Sequence, residues 1–265
     1  MPYYNDFDIE VPENSQFEVH YIDVGQADCA LVICDDETML IDGGNVGDSS
    51  KVASYLKKYD IDELDYVVCS HAHEDHVGGL SGALSVAEAE RVFAPETEAD
   101  SKAYKNFVKK VKEQGIAIEN PDVGETAILG NSHVEFLGPI DEKGADTNNT
   151  SIVMKITYGN TSFLFTGDAE RAEEEDILAS GANLKSTVLK VGHHGSETSS
   201  SYPFLREVMP QYAVISVGED NSYGHPHDEV LSRLNDAGVE VYRTDESGDI
   251  IMQSDGDNIT VITEK

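Results

Sequence analysis

The run from Ser70 to His76 concentrates side chains that bind metal ions, because it holds His71, His73, Asp75 and His76. Imidazole and carboxylate groups are good ligands for Zn²⁺ and related ions. Four such side chains cannot all face one way on a strand, but on a loop that leaves a strand they can surround two ions. His71 and His73 would bind one ion, while Asp75 and His76 turn towards a second. The run therefore predicts a metal centre.

Further candidate ligands follow other predicted strands. Asp168 closes the run SFLFTGD, where its carboxylate would bridge two ions; the alternative is a cap for the next helix. His193 and His194 follow the apolar run STVLKV, and we expect one to bind metal and the other to face substrate. His225 and His227 precede a predicted helix, where a helix-capping loop is the alternative.

The remaining histidines and the cysteines lack such a setting. The sequence has nine histidines, and two of them, His20 and His133, lie inside strand patterns and outside the three histidine clusters, so we interpret them as structural. Cys29, Cys34 and Cys69 lie in apolar stretches without zinc-ribbon spacing, which predicts buried free thiols.

The elements that must position these side chains are short strands alternating with helices. FEVHYIDVG, CALVIC and TMLIDGG predict an antiparallel meander, and a turn at Gly159-Asn160 predicts a hairpin within 151–168. HVGGLSGALS predicts one helix after the metal-binding run. Further helices are predicted at about 49–58, 98–114, 169–180, 199–208 and 226–237, and closing strands near 239–243, 248–253 and 258–263.

This order of strands, helices, strands and helices predicts a four-layer α/β/β/α sandwich of the α/β class. Residues 1–15 are polar and aperiodic, which predicts an N-terminal tail or linker remnant. Residues 16–265 then form one folded domain that carries the metal centre.

Composition restricts the partners. The 265 residues carry a net charge of −33, so we expect no general duplex-DNA-binding surface, although a nuclease is not excluded. No apolar run is long enough to span a membrane, and the first residues do not form a signal peptide. We therefore expect a soluble protein, cytoplasmic or exported after removal of a signal. The oligomeric state stays open.

Several motifs, in order along the chain, resemble the metallo-β-lactamase superfamily and, more narrowly, the hydrolase domain of the ComEC competence proteins. The superfamily pattern HxHxDH is met at 71–76. The narrower resemblance rests on IDVGQAD at 22–28, LIDGG at 40–44, SHAHEDHVGGL at 70–80, NNTSIV at 148–153, FLFTGD at 163–168, KVGHHGS at 190–196 and SYGHPH at 222–227.

The chain departs from the family at two points. Ala27 stands where the ComEC branch usually has glycine. The third histidine that the superfamily usually supplies to the first metal site is also absent, and the corresponding stretch holds Asn148 and Asn149. We expect a weaker first site that is completed by His225, His227 or water, so a single bound ion is an alternative to two.

The resemblance implies two divalent ions, zinc by preference and manganese as the alternative, which activate a bridging water. In this assignment His71 and His73 hold the first ion, and Asp168 bridges. The second ion is held by Asp75, His76 and His193. Asp75 would also accept a proton from the attacking water. His194, His225 or His227 would protonate the leaving group or bind phosphate.

The predicted activity is hydrolysis of a small or oligomeric anionic substrate by a phosphodiesterase or nuclease. Hydrolysis of a lactone, thioester or β-lactam is the second candidate, although β-lactamases use the histidine that is missing here. A non-catalytic metal-binding domain is the third. Redox chemistry at two irons is the least favoured, because that branch needs a glutamate where this chain has His73.

Overall fold

Strands from the two halves of the chain form two sheets. The computed structural model describes residues 16–97, 99–143 and 145–265, so the predicted tail at 1–15 lies outside the described residues. The strands are β1 (Phe17–Tyr21), β2 (Ala30–Cys34), β3 (Glu37–Ile41), β4 (Glu63–Val68), β5 (Glu88–Phe93), β6 (Ile118–Glu119), β7 (Thr126–Leu129), β8 (Ser132–Gly138), β9 (Val153–Tyr158), β10 (Thr161–Phe165), β11 (Val188–Lys190), β12 (Tyr212–Ile215), β13 (Glu240–Arg243), β14 (Ile250–Ser254) and β15 (Ile259–Thr263).

Each sheet combines an antiparallel part with a parallel part. The first sheet has the order β15-β14-β1-β2-β3-β4-β5-β6, and the pairing is antiparallel from β15 to β3 and parallel from β3 to β6. The second has the order β13-β12-β11-β10-β9-β8-β7, parallel from β13 to β10 and antiparallel from β10 to β7. The predicted meander β1-β2-β3 is confirmed, and so is the hairpin β9-β10, in which Tyr158 pairs with Thr161.

Helices connect the parallel strands, as parallel pairing requires. They are α1 (Ser49–Lys58), α2 (Glu74–Val77), α3 (Leu80–Ala83), α4 (Lys102–Glu113), α5 (Arg171–Ser180), α6 (Tyr202–Val208), α7 (Asp228–Asp236) and α8 (Thr244–Ser247). Among the described residues no helix has the length and apolar character needed to cross a membrane.

One helix prediction was wrong. HVGGLSGALS does not form a single helix but divides between the end of α2 and the whole of α3, with Gly78 and Gly79 between them. The loop after β3 lies directly against these glycines: a Cβ on Gly79 would be 1.9 Å from the carbonyl oxygen of Gly43. This close approach between two loops was not visible in the local sequence.

Three buried apolar clusters separate the layers. One lies between the sheets, where the rings of Phe17 and Tyr158 stack at 4.9 Å. Another lies between the first sheet and its helices and includes Leu56 and Phe107, and the third packs Phe204 and its neighbours against the second sheet. Burying such a side chain contributes about 1.5–3 kcal/mol. The four-layer α/β/β/α sandwich is therefore confirmed.

Candidate metal centre

Loops that follow strands of both sheets converge on one cavity of about 330 Å³. The loop after β4 carries the metal-binding run, and hydrogen bonds tie it to neighbouring loops: Ser70 O accepts from Ile152 N at 2.8 Å, and Asp75 O accepts from Asp28 N at 3.1 Å. The lining residues are Gln26, His73, Glu74, Asp75, Asn148, Asp168, His193, His194, Tyr223 and His225.

The first ligand group comprises His71, His73 and Asp168, whose ligand atoms all lie within 4.8 Å of one another. His71 Nε2 is 3.0 Å from His73 Nδ1 and 3.8 Å from Asp168 Oδ2. His73 has extended backbone and stands directly before α2, so the chain turns there and the next ligands face elsewhere.

The second ligand group comprises Asp75, His76, Asp168 and His194. His76 Nε2 lies 3.3 Å from Asp168 Oδ1, and His194 Nε2 lies 3.3 Å from Asp75 Oδ2. Among the described residues, His76 Nε2 and Asp168 Oδ1 are buried without a hydrogen-bond partner. Buried polar atoms are costly when unpaired, so these two atoms fit a metal ion that would take both as ligands.

Hydrogen bonds behind the histidines orient them for this purpose. His76 Nδ1 is 2.9 Å from Asp42 Oδ2, and His194 Nδ1 is 3.0 Å from the carbonyl oxygen of Ser216. Nδ1–H therefore donates in both rings, which leaves each Nε2 as the lone-pair donor. Asp42 also accepts from the backbone and hydroxyl of Ser70 at 2.7 Å. Sequence reasoning did not select Asp42, although its place after a buried strand was a signal.

A buried ion pair supports His194 from the other side. Lys190 Nζ lies 2.8 Å from Asp28 Oδ2, and Asp28 Oδ1 lies 3.2 Å from His194 Nδ1. All three side chains are buried. Neither Asp28 nor Lys190 was selected as a functional residue from the sequence.

The buried carboxylates are held in the ionised form. Burial alone would raise the pKa of Asp75, but the hydrogen bond from His194 and the charge of His76 lower it to about 2. Burial likewise opposes ionisation of Asp168, and His76 and His194 outweigh it, so its pKa lies well below the usual range.

The imidazoles respond in opposite directions. Burial, and then the neighbouring His76, lower the pKa of His71 well below its ordinary value. Burial also opposes protonation of His76, but Asp168 and Asp42 outweigh it and raise its pKa well above the ordinary value. In the absence of a metal ion, protonated imidazole thus supplies the positive charge that the carboxylates require.

The structure does not bring His193 into the second ligand group, where the sequence prediction had assigned it; His194 is there instead. His193 is partly exposed in the cavity, with Nδ1 at 3.2 Å from Glu170 Oε1 and Nε2 at 3.7 Å from Asp168 Oδ2. Both histidines have left-handed backbone, with φ of 50° and 52°. The side chains of the two residues point in different directions, and the ring of His194 is the buried one.

His225 and His227 also separate. His225 lines the cavity, where its Nδ1 is 3.3 Å from Gln26 Nε2, but it belongs to neither ligand group. His227 Nδ1 accepts from the backbone N–H of Glu197 at 2.9 Å, and its Nε2 lies 3.3 Å from the carbonyl oxygen of Tyr223. Both ring nitrogens of His227 thus contact backbone, which is the arrangement that the loop alternative describes, and its catalytic role stays a prediction.

Asn148 lies in the stretch that corresponds to the missing third histidine of the first metal site. Its Nδ2 donates to Glu170 Oε1 at 3.2 Å, while its Oδ1 is buried with no hydrogen-bond partner in the described part of the chain. Asn148 lines the same cavity as His73 and Asp168. An amide oxygen is a weaker ligand for zinc than imidazole.

The remaining predicted features away from the cavity are structural. His20 is buried, with Nδ1 at 3.0 Å from the Tyr55 hydroxyl and Nε2 at 3.0 Å from Glu18 Oε2. All three cysteines are free and buried, as predicted.

Known proteins are similar to this chain in sequence. A family model described as "Metallo-beta-lactamase superfamily" matches residues 22–219. ComE operon protein 3 of Bacillus subtilis is 31% identical over an alignment of 255 residues, and the match covers 89% of this chain and 33% of that protein. Competence protein ComA of Neisseria gonorrhoeae is 34% identical over 240 residues, which are 90% of this chain and 32% of that protein. The chain thus spans about a third of the length of these relatives.

Solved structures agree on the fold. The metallo-beta-lactamase fold protein YhfI from Bacillus subtilis superposes with a TM-score of 0.61 at 13% identity, covering 90% of this chain and 100% of that chain. At such low identity the likeness concerns the fold alone.

Proposed function

The chain belongs to the metallo-β-lactamase superfamily of metal-dependent hydrolase folds, and on that premise we propose that it hydrolyses phosphodiester bonds, with nucleic acid as the substrate class. The observation that carries the proposal is the position of Asp168 in both ligand groups. Asp168 Oδ1 faces His76, at 3.3 Å, and Oδ2 faces His71, at 3.8 Å. One carboxylate shared between two groups suits a pair of ions.

The chain's own residues would hold these ions as follows. His71 and His73 serve the first, with Asn148 Oδ1 or water completing it. Asp75, His76 and His194 serve the second, and Asp168 serves both. Two divalent ions, zinc or manganese, supply Lewis acidity and a lowered pKa of water when bound.

Charge favours an anionic substrate. Two dications outweigh the charge of the two ligand carboxylates, Asp75 and Asp168, and the four histidines of the ligand groups are neutral donors. The cavity then attracts phosphate, whereas the surface of a chain with net charge −33 repels it. The substrate is therefore held at the centre rather than along the general surface.

We assign proton transfer to the pair of His193 and Glu170. Glu170 Oε1 lies 3.2 Å from His193 Nδ1 and also accepts from the Thr198 hydroxyl at 3.0 Å. A carboxylate behind an imidazole fixes its tautomer and raises its basicity. His193 is partly exposed in the cavity, so its Nε2 is placed to protonate a leaving oxygen.

Two rings at the cavity offer a surface for a base. Tyr223 is 68% exposed and stacks on His225, with ring centroids 5.6 Å apart and an interplanar angle of 24°. Base stacking on aromatic rings tolerates any sequence. This feature favours a nucleotide over an acyl substrate.

The test is hydrolysis of bis-p-nitrophenyl phosphate and of a single-stranded oligonucleotide by protein loaded with Zn²⁺ or Mn²⁺. We expect turnover that disappears in His73→Ala/Asp168→Ala and persists in the matched control His133→Ala, whose ring lies outside the cavity. Cleavage retained by the double variant would contradict the proposal. Turnover of lactones or thioesters alone would favour the acyl alternative, and protein that binds no metal would favour a non-catalytic domain.

A further inference from the structure

Helix α4 concentrates positive charge in a molecule that is otherwise strongly acidic. Its twelve residues, KAYKNFVKKVKE, include five lysines, whereas the whole chain has only 18 lysines and arginines against 51 acidic residues. More than a quarter of the basic residues therefore lie on one helix.

Four of these lysines form a stripe on one face. They follow one another at intervals of three, four and three residues, which at 3.6 residues per turn places them within an arc of about 80° along roughly 15 Å of helix. We call them the lysine stripe, and all are exposed: Lys102, Lys105, Lys109 and Lys112. The opposite face is buried in the core through Ala103, Tyr104, Phe107 and Val111.

An open groove runs beside the lysine stripe. It has a volume of about 710 Å³, and Lys105, Lys109 and Lys112 line it together with Tyr104 and Val108. Acidic residues stand at its ends. Lys105 pairs with Asp100, and Lys109 lies 3.5 Å from Glu113. These pairs are exposed to solvent and therefore weak, so a stronger anion would displace them.

We propose that the lysine stripe binds the phosphate backbone of a single-stranded nucleic acid. Lysine contacts to phosphates are independent of sequence and release counterions from the strand. A single row of about 15 Å between acidic ends suits one strand, whereas a duplex would bring its second strand over a surface of strongly negative net charge.

Anionic membrane is the weaker alternative. A membrane-surface helix presents apolar side chains beside its charges, but the apolar residues of α4 are packed in the core. In the described part of the chain, the large exposed hydrophobic residues lie on other elements: Val46, Val123, Ile128, Tyr202, Met209, Tyr223 and Ile262.

The helix that carries the lysine stripe belongs to the same helix layer as α2 and α3. Helix α4 packs against α2 and α3, and α2 begins directly after the ligand His73. A nucleic-acid strand that is bound to α4 would therefore lie on the layer that carries the first metal ligands. Binding by the lysine stripe does not depend on catalysis, although its purpose rests on the proposed phosphodiesterase function.

The experiment measures binding of a fluorescent 15-nucleotide oligo-dT by anisotropy in EDTA, so that cleavage does not interfere. The test variant is Lys102→Gln/Lys105→Gln/Lys109→Gln/Lys112→Gln. The matched control removes four exposed cations elsewhere: Lys57→Gln/Lys143→Gln/Lys185→Gln/Arg206→Gln. We expect the test variant to bind at least about tenfold more weakly at 100 mM KCl and to lose up to about 3 from the slope of log K against log salt.

The control should keep both values, and both variants should hydrolyse bis-p-nitrophenyl phosphate equally, because that substrate does not reach α4. Equal binding by the test variant and the wild type would overturn the inference. Binding of the protein to phosphatidylserine vesicles or to duplex DNA, without binding to oligo-dT, would overturn the inference as well. Failure of catalysis with intact oligo-dT binding would count against the proposed function alone.

Discussion

Lys190 Nζ lies 2.8 Å from Asp28 Oδ2, and both side chains are buried behind the second ligand group. Burial opposes ionisation of Asp28, but the charges of Lys190 and His194 outweigh it and hold its pKa well below the usual range. Asp28 thus stays charged beside the ring of His194, whose Nδ1 donates to the carbonyl oxygen of Ser216. The ion pair therefore stabilises the surroundings of the metal ligand His194 and is not a surface contact.

Lys190→Met should destabilise the protein by about 3–5 kcal/mol, because it leaves the Asp28 carboxylate buried without its partner. Lys190→Met/Asp28→Asn should recover much of that loss, since neither charge then remains. Urea unfolding of the two single variants and the double variant measures the coupling, with exposed Lys185→Met as control. Additive losses would show that the two groups do not stabilise each other.

His194→Ala should lose the second-site ion, whereas His193→Ala should retain it and lose turnover. His194 Nε2 points to Asp75 and Asp168, but His193 Nδ1 faces Glu170. Elemental analysis of protein purified without added metal gives the stoichiometry, and calorimetric titration with Zn²⁺ gives the affinity. Metal loss in His193→Ala with full binding in His194→Ala would restore the assignment that the sequence suggested.

The sequence could predict the run at 71–76 because ligand types and spacing are local properties. It could not decide between His193 and His194, because adjacent residues differ by the direction of their side chains. Both positions have left-handed backbone. Such a conformation is uncommon outside glycine, and nothing in the residue types announces it.

Strand order was predictable where turns are short and local, as at Gly159-Asn160. The division of HVGGLSGALS was not, since it depends on contact between loops far apart in sequence. The contacts of His227 were not predictable for a similar reason: its partners are the backbone of Glu197 and Tyr223, which only the folded chain brings together.

Glu173→Gln should gain stability relative to the wild type as pH rises from 5 to 8. Burial raises the pKa of Glu173 to about 7, with added repulsion from Asp176, although the N–H of Ile140 opposes the shift. Because the folded pKa is raised, its stabilising contribution is complete below about pH 4.5 and is lost as pH rises through 7.

The expected relative gain for Glu173→Gln is on the order of 1–2 kcal/mol, less than the full pKa difference because solvent screens part of the site. Chemical unfolding at each pH measures it. Glu175→Gln on the exposed side of α5 is the control and should show no such trend. A constant difference across the pH range would contradict the assignment.

Gly79→Ala should destabilise the protein by about 3 kcal/mol or more and weaken metal binding at the same time. The added Cβ would lie 1.9 Å from the carbonyl oxygen of Gly43, so the backbone at Gly43 must move. The N–H of Gly43 donates to the carbonyl oxygen of His76 at 2.7 Å, which carries the movement to a ligand. Gly47→Ala is the matched control, since its Cβ would meet no atom within 4 Å. Thermal unfolding and Zn²⁺ titration of both variants provide the measurement, and equal behaviour of the two would show that the loop after β3 does not hold the metal-binding run in place.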